Sequence, residues 1–390
     1  MTTTYPLQAT AFSAESFRSN FPPLDSMVHL ASCSQGALSN ELSAALGAVT
    51  DSITESAAPW GLWMDEVESL RRRFAAFINA SPDEIAIVSS ASEAAYQMVS
   101  SFDWSKGGAI VTSALEFPSV GHVLRAQQAN GAEIRSIDDR FAALDVDAWA
   151  PLIDGDVRLV SVPLVSYHDG SRAQVDAITA LAHEAGARVF VDAYQGAGVV
   201  PIDVKALDCD YLTTGSLKYM LGLAGVAFLY VRGGITSERA PELTGWFGRV
   251  DPFAFDPTLV DYPETARRFE SGTPGIPAVY AAGAGLTLLE SIDRQAGWAH
   301  VVGLTDLLAD GLTEMGVQLS RPASPDQRGP QVALYDDDPV ALSAAIHEHR
   351  VMSAPRSRLL RLSLHYYNTE SDVTAALAAI STARRAKEQS

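Results

Sequence analysis

The chain has 390 residues, enough for two or three domains of roughly 150 residues each, or for two that share one core. Hydrophobic residues make up 47% and charged residues 19%, with Gly and Pro spread along the chain, which excludes a disordered bulk. The 47 acidic against 28 basic side chains give a formal net charge of -19, which repels nucleic-acid phosphates and anionic lipid, so an anionic ligand must be held by a few focused cationic or N–H donors.

In chain order, the opening MTTTYPLQATAF has neither a basic start nor an apolar segment of signal-peptide length, and the apolar run at 224–231 is too short to span a bilayer. A cytoplasmic protein without membrane or nucleic-acid partners is expected. The two cysteines, Cys33 and Cys209, cannot build a disulfide framework and lack metal-ligand spacing. Strand-like IAIVSS (85–90), AIVTS (109–113), EIRSI (133–137), VRLVSVPLVS (157–166) and ARVFVDA (187–193) alternate with helical EAAYQMVSSF, VGHVLRAQQAN and VDAITALAHEAG. This alternation predicts an α/β fold with a mostly parallel sheet and its ligand site at the carboxyl ends of the strands. Beyond about residue 280 the pattern changes to two long helices, then strand-like QVALYD (331–336) and LLRLSLH (359–365) with a helix between them, which predicts a smaller C-terminal α+β domain. The predicted division is an arm over 1–25, a large domain over 26–280 and a small domain over 281–390. HEHR at 347–350 lacks the four-residue histidine spacing of a helical zinc motif, so no metal is expected, and RRR at 71–73 reads as a solvated or salt-bridged helix face.

One lysine stands out by its position. The segment DYLTTGSLKYMLGLAGVAFLYVR sets Lys218 between a short strand and a turn containing Gly222 and Gly225, where an exposed residue type is unusual. Upstream, ARVFV ends in Asp192. An acid at the carboxyl end of a buried parallel strand is placed to pair with a protonated pyridine nitrogen, and Gln195 to donate to a ring 3-oxygen, although helix capping accounts for an aspartate equally well. IVSSASEAA is a strand turning into a helix N-terminus, a natural phosphate site, and Ser90 with Glu93 also has capping-box spacing.

VDAYQ followed by GSLKYMLGLAGVAFLYVR, then RRFESGTP at 267–274 and LRLSLHYYNTESDV at 360–373, resembles the class V aminotransferase group of fold type I pyridoxal 5′-phosphate (PLP) enzymes. That group includes cysteine desulfurases, selenocysteine lyase, isopenicillin N epimerase and kynureninase, and the resemblance spans roughly residues 25 to 370. It implies a seven-stranded large-domain sheet and Lys218 as the Schiff-base lysine. It also implies Ala91 and Ser92 at the cofactor phosphate, Ser216 as a further hydroxyl, and Phe117 against the ring where desulfurases have histidine. A phenylalanine cannot carry a proton, so proton transfer falls to Lys218 or another side chain. The resemblance gives Arg361 to the substrate carboxylate, a bidentate task suited to arginine. Gly272 and Thr273 are implied to reach the cofactor phosphate of a neighbouring subunit, hence a homodimer with shared sites, and Arg268 and Trp60 with Trp63 are candidates for shaping the substrate pocket.

A persulfide-forming desulfurase needs a nucleophilic cysteine on a mobile C-terminal loop. RPASPDQRGPQVALYDD contains none, and neither Cys33 nor Cys209 is expected to form a persulfide. Elimination or another lyase reaction, transamination and epimerisation all remain. Because nothing requires a second substrate site, the expected activity is a lyase or desulfurase-like reaction on a small amino acid with a leaving group at Cβ, with transamination as the alternative and epimerisation as a further one. A non-catalytic binding module is disfavoured by the intact set of Lys218, Asp192, Gln195 and Arg361. Side-chain specificity depends on loops that one sequence does not bring together.

Overall fold

A computed structural model describes residues 12–235 and 238–388, so the first eleven residues of the expected arm and the last two of the chain lie outside it. Seven strands form one sheet: β1 (Ile85–Val88), β2 (Ala109–Ser113), β3 (Glu133–Ile137), β4 (Val157–Pro163), β5 (Arg188–Asp192), β6 (Tyr211–Gly215) and β7 (Ala227–Val231). Their order is β1-β7-β6-β5-β4-β2-β3, parallel throughout except that β7 runs against both neighbours. The expected mostly parallel seven-stranded sheet is what the chain forms.

The central strands are apolar on both faces because helices cover both. Along β5, Val189 and Val191 point into one core and Phe190 into the other, the period-2 alternation of a strand. On the Phe190 side lie α3 (Ala91–Ser100) and α4 (Pro118–Ala126), which bring Met98 and Leu124. On the other side α2 (Trp60–Phe77), α5 (Val175–Glu184) and α6 (Ile276–Glu290) bring Phe74, Ile178 and Leu286; α1 (Asn40–Ser56) precedes them in the chain. Phe74 stacks on Phe228 of β7 at 3.8 Å between ring centroids. Each fully buried side chain of this size stabilises the fold by about 1.5–3 kcal/mol.

Arg71 is salt-bridged, one of the two readings expected of RRR, but it is buried and not on a solvated face. It turns inward at 2% exposure and its guanidinium meets Glu270 and donates to the Ile85 carbonyl at 2.8 Å. Glu270 also accepts the Ile87 N–H at 2.9 Å. The buried charges are therefore paired and hydrogen-bonded, the condition under which burial of an ion pair is tolerated. Arg72 stays exposed, and Arg73 pairs with Glu290 of α6 at 2.8 Å.

The C-terminal part comprises α7 (Arg294–Glu314), β8 (Leu319–Ser320), β9 (Gln331–Tyr335), α8 (Pro339–His347), β10 (Ala354–Arg356), β11 (Leu359–Ser363) and α9 (Glu370–Glu388). Its strands make an antiparallel sheet in the order β10-β11-β9-β8. Val28 and His29 pair in parallel with Val351 and Met352, and Arg18 bonds Asp372 at 2.8 Å, so residues near the start of the chain pack on this C-terminal part. The two-residue pairing carries no periodicity that a sequence reading could register. Among the described residues no helix is long and apolar enough to cross a membrane.

Candidate active site

The carboxyl ends of β4 and β5, the turns after β1 and β2, and the loop from β6 to β7 enclose a cavity of about 250 Å³. Lys218, Asp192, Gln195, Phe117, Ala91 and Ser92 all line it. Lys218 sits on the loop that leaves β6 at Gly215. A Cβ added at Gly215 would come within 2.4 Å of the Tyr194 ring, so glycine is what lets that phenol lie against the loop. The Lys218 Nζ is 4.3 Å from the Tyr194 centroid and 5.4 Å from that of Phe117, within reach of both π-faces. Leu221 closes the loop in the left-handed region at φ 61°, with its N–H donated to the Lys218 carbonyl at 3.1 Å. That conformation costs a branched residue about 1–2 kcal/mol and places strain beside the lysine.

His365, just beyond β11, holds the same loop from the C-terminal side. Its Nε2–H donates to the Tyr219 carbonyl at 2.9 Å while its Nδ1 accepts the Tyr366 N–H at 2.7 Å. The ring is fully buried, and burial pulls its pKa down to about 4, so it stays neutral.

Charge in the cavity is set by burial. Desolvation draws the Lys218 pKa down to about 8, against the opposing pull of the Asp192 carboxylate. Asp192, buried and accepting the Tyr194 N–H at 2.8 Å, is raised by desolvation while Lys218 favours its charged form. A second buried carboxyl, Glu116, is pushed up to about 8 by burial and then by the charge of Asp192. The Ser161 hydroxyl donates to Glu116 at 2.7 Å, and the Phe117 N–H does so at 3.2 Å. With a cation facing Asp192, Glu116 is the carboxyl that retains a proton near neutrality.

These surroundings fit PLP. Gln195 donates to the Cys33 carbonyl at 3.2 Å, but its Oε1 is buried without a hydrogen-bond partner, a cost that a bound polar group would remove. Asp192 supplies an anion for a pyridinium, and Phe117 a flat apolar face. At the start of α3, Ser90 caps the helix by accepting the Glu93 N–H at 3.1 Å, which leaves first-turn N–H groups at Ala91 and Ser92 without intrahelical acceptors. Gly272 and Thr273 line a smaller neighbouring cavity of about 110 Å³ that shares Ser89, Gly225 and Val226 with the first. Ser271 beside them donates to Glu93 at 2.8 Å.

Arg361, on β11, is buried and oriented by two backbone carbonyls, Ala354 at 3.1 Å from Nε and Tyr167 at 2.7 Å from Nη1. The Tyr167 ring meets Phe117 edge-on at 5.1 Å, which places the guanidinium beside the Phe117 side of the cavity. Ser216 does not join the site: it is fully buried and its hydroxyl bonds the Leu223 and Val226 carbonyls, bracing the turn before β7. Trp60, Trp63 and Arg268 also lie off the cavity wall. Trp60 sits edge-on to Trp63 and Trp246 at 5.6 and 5.9 Å, and Arg268 lies over the Tyr262 ring at 5.6 Å.

The sequence reading misses Tyr194, Tyr167, Ser89, Ser119 and Glu116. Tyr194, two residues after Asp192, carries a local signal; Tyr167 and Ser119 come from loops whose course a strand pattern does not give. Cys33, distant in sequence, is at the site: its carbonyl accepts from Gln195 at 3.2 Å, and Gly36 just after it donates its N–H to the Leu217 carbonyl at 3.1 Å, beside Lys218.

Comparison with known proteins agrees with this geometry. The chain is 36% identical over 364 residues to an uncharacterized aminotransferase, YcbU, of Bacillus subtilis, covering 93% of this chain and 96% of that one. It is 30% identical over 336 residues to a probable cysteine desulfurase of Synechocystis, covering 79% and 78%. In fold it superposes on the apo cysteine desulfurase of Thermococcus onnurineus with a TM-score of 0.85 at 22% identity, over 96% of this chain and 99% of that one. Residues 37–336 match the aminotransferase class-V family, and the chain therefore belongs to that family of PLP-dependent enzymes.

Proposed function

We propose that this enzyme is a lyase that acts on a small amino acid carrying a leaving group at Cβ, with Lys218 as its base. The observation that carries the reading is the meeting of Lys218, Asp192 and Phe117 in a single cavity. Bound there, PLP supplies an electrophilic carbon for the substrate amine and a ring that draws electrons away from Cα. Asp192 would hold a proton on the ring nitrogen by its charge, the α3 N-terminus would hold the phosphate, and Gln195 would serve the ring 3-oxygen. Phe117 would offer the ring a flat apolar face, and Arg361 would grip the α-carboxylate. Lys218 Nζ, with its pKa brought to about 8, takes the Cα proton and can return it to the departing group. No thiol is set up for persulfide formation: Cys209 is buried, its thiol pushed up to about 12 by burial, and Cys33 is 2% exposed.

Transamination is the second reading, favoured by the name of the 36% identical relative. Incubating the holoenzyme with β-substituted amino acids separates the two. Release of pyruvate and ammonia is expected; a stable pyridoxamine form, reversed by a 2-oxo acid, would assign transamination instead. Ser92 and Ala91, with Gly272 and Thr273 from a second copy, complete the phosphate site in this reading, and Arg268 and Trp60 shape the substrate entrance of that copy.

The working unit is a cytoplasmic homodimer of chains divided into an arm (1–25), a large domain (26–280) and a small domain (281–390). An exposed aromatic patch supports the dimer: Trp60, Phe253 at 45% and Phe255 at 71% exposure surround Trp246. A monomeric mass by light scattering would remove it.

A further inference from the structure

Behind Tyr167, which lines the cavity and whose carbonyl accepts from Arg361, more positive charge gathers than an α-carboxylate needs. His168, next to Tyr167, is half-buried, and the charges of Arg140, Arg361 and Arg356 all bear on it; together with desolvation, the largest effect, they hold its pKa below the usual histidine range. Arg356 and Arg361 also act on Lys218, so the cluster and the lysine share one electrostatic neighbourhood. The three arginines come from separate elements: Arg140 from the loop after β3, Arg356 from β10 and Arg361 from β11.

Among the described residues none of the three has a carboxylate partner. Acids are close by, yet they are engaged elsewhere. Asp139 accepts the Ala142 N–H at 2.8 Å, and Asp169 accepts from the Ser171 hydroxyl at 2.7 Å and the Ser320 hydroxyl at 3.0 Å. Arg358, two residues from Arg356, does pair, with Asp337 at 3.0 Å. The Arg140 Nε and the His168 Nδ1 are buried and have no hydrogen-bond partner at all. Asp169 opposes the three arginines at His168, but one acid against three cations leaves the empty site with an excess of like charge, which a bound anion lowers.

We propose that the substrate carries a second acidic group, a carboxylate or an oxyanion of similar shape on its side chain, which Arg140 and Arg356 hold beside His168 while Arg361 takes the α-carboxylate. This rests on the amino-acid reading of the site above and narrows it to acidic amino acids.

The test titrates the holoenzyme with L-aspartate, L-glutamate and cysteine sulfinate on one side and L-alanine and L-serine on the other, following cofactor absorbance. At least one acidic amino acid should half-saturate about tenfold or more below the neutral ones. Arg140→Gln and Arg356→Gln should each weaken that amino acid about tenfold, the size of a lost charge-assisted hydrogen bond, and Arg358→Gln should leave it unchanged. A readout independent of cofactor chemistry is thermal stabilisation by succinate over acetate at matched ionic strength, which the two glutamine variants should lose. Equal response to acidic and neutral amino acids, or an equal loss of both in the variants, overturns the second anion site while leaving the lyase reading standing. If no amino acid perturbs the absorbance, both fall.

Discussion

The two walls of the cavity are built by different means. The wall proposed to meet the pyridine ring is made of strand ends: Asp192 closes β5, Lys218 follows β6 by three residues, and Phe117 follows β2 by four. The opposite side is made of loops and a hairpin: Tyr167 lines the cavity after β4, and behind it come His168, Arg140 after β3, and Arg361 with the exposed Arg356 on the hairpin of β10 and β11. One wall inherits its geometry from a hydrogen-bonded ladder with apolar packing on both faces. The other depends on single contacts such as that of Arg361 with the Tyr167 carbonyl. Such a division lets the chemistry stay fixed while the choice of substrate varies.

Substitutions can break this comparison, beginning with the ring wall. Lys218→Ala should lower turnover by about 10³-fold or more, read as kcat in single-turnover assays, with the visible absorbance of the linked lysine abolished. Retained turnover would remove the lysine from its central place. The tie between the walls is the next largest effect. In the folded chain His365 has its pKa lowered to about 4 from 6.5, so the unfolded chain binds more protons between those values, and stability must fall as pH drops from about 6.5 towards 4. The loss is on the order of 3 kcal/mol from this group. Urea unfolding at pH 7 and pH 4.5 should show it, and His365→Asn should flatten the slope. On the loop wall, Arg361→Lys should raise KM about 10- to 100-fold with a smaller change in kcat, because an ammonium cannot reproduce the planar fork. A kcat loss with KM unchanged would move Arg361 to the ring wall. The smallest effect is at the ring face: Phe117→Leu should weaken PLP binding about 3- to 10-fold, the value of one aromatic contact, measured by equilibrium dialysis.

The same contrast explains what could be read from the chain. Asp192 and Lys218 were legible because a buried strand of known direction converts spacing into position. The mostly parallel sheet was legible for the same reason, from the β-rich runs of VRLVSVP and RVFVD, whereas its count of seven strands came from the family resemblance. Ser216 is the informative miss. It lies near the lysine in sequence, but just past the end of β6 its hydroxyl turns to the Leu223 and Val226 carbonyls, a detail of the turn and not of the spacing. Cys33 and Tyr167 could not be read because their nearness to Lys218 and Arg361 arises from long-range folding, and Glu116 because nothing local marks a carboxyl as fully enclosed.

The pairing of Arg71 with Glu270 has a consequence for association between molecules. β1 is a terminal strand of the large sheet, and an open strand edge can recruit another chain into a continuous ladder. On β1 the two groups most available for such recruitment, the Ile85 carbonyl and the Ile87 N–H, are already taken by Arg71 and Glu270. Glu270 is followed directly by Ser271, Gly272 and Thr273, so the residue that seals the sheet edge also leads into the segment that lines the smaller cavity. Protection of the strand edge and the course of the chain into that cavity are thus vested in one side chain.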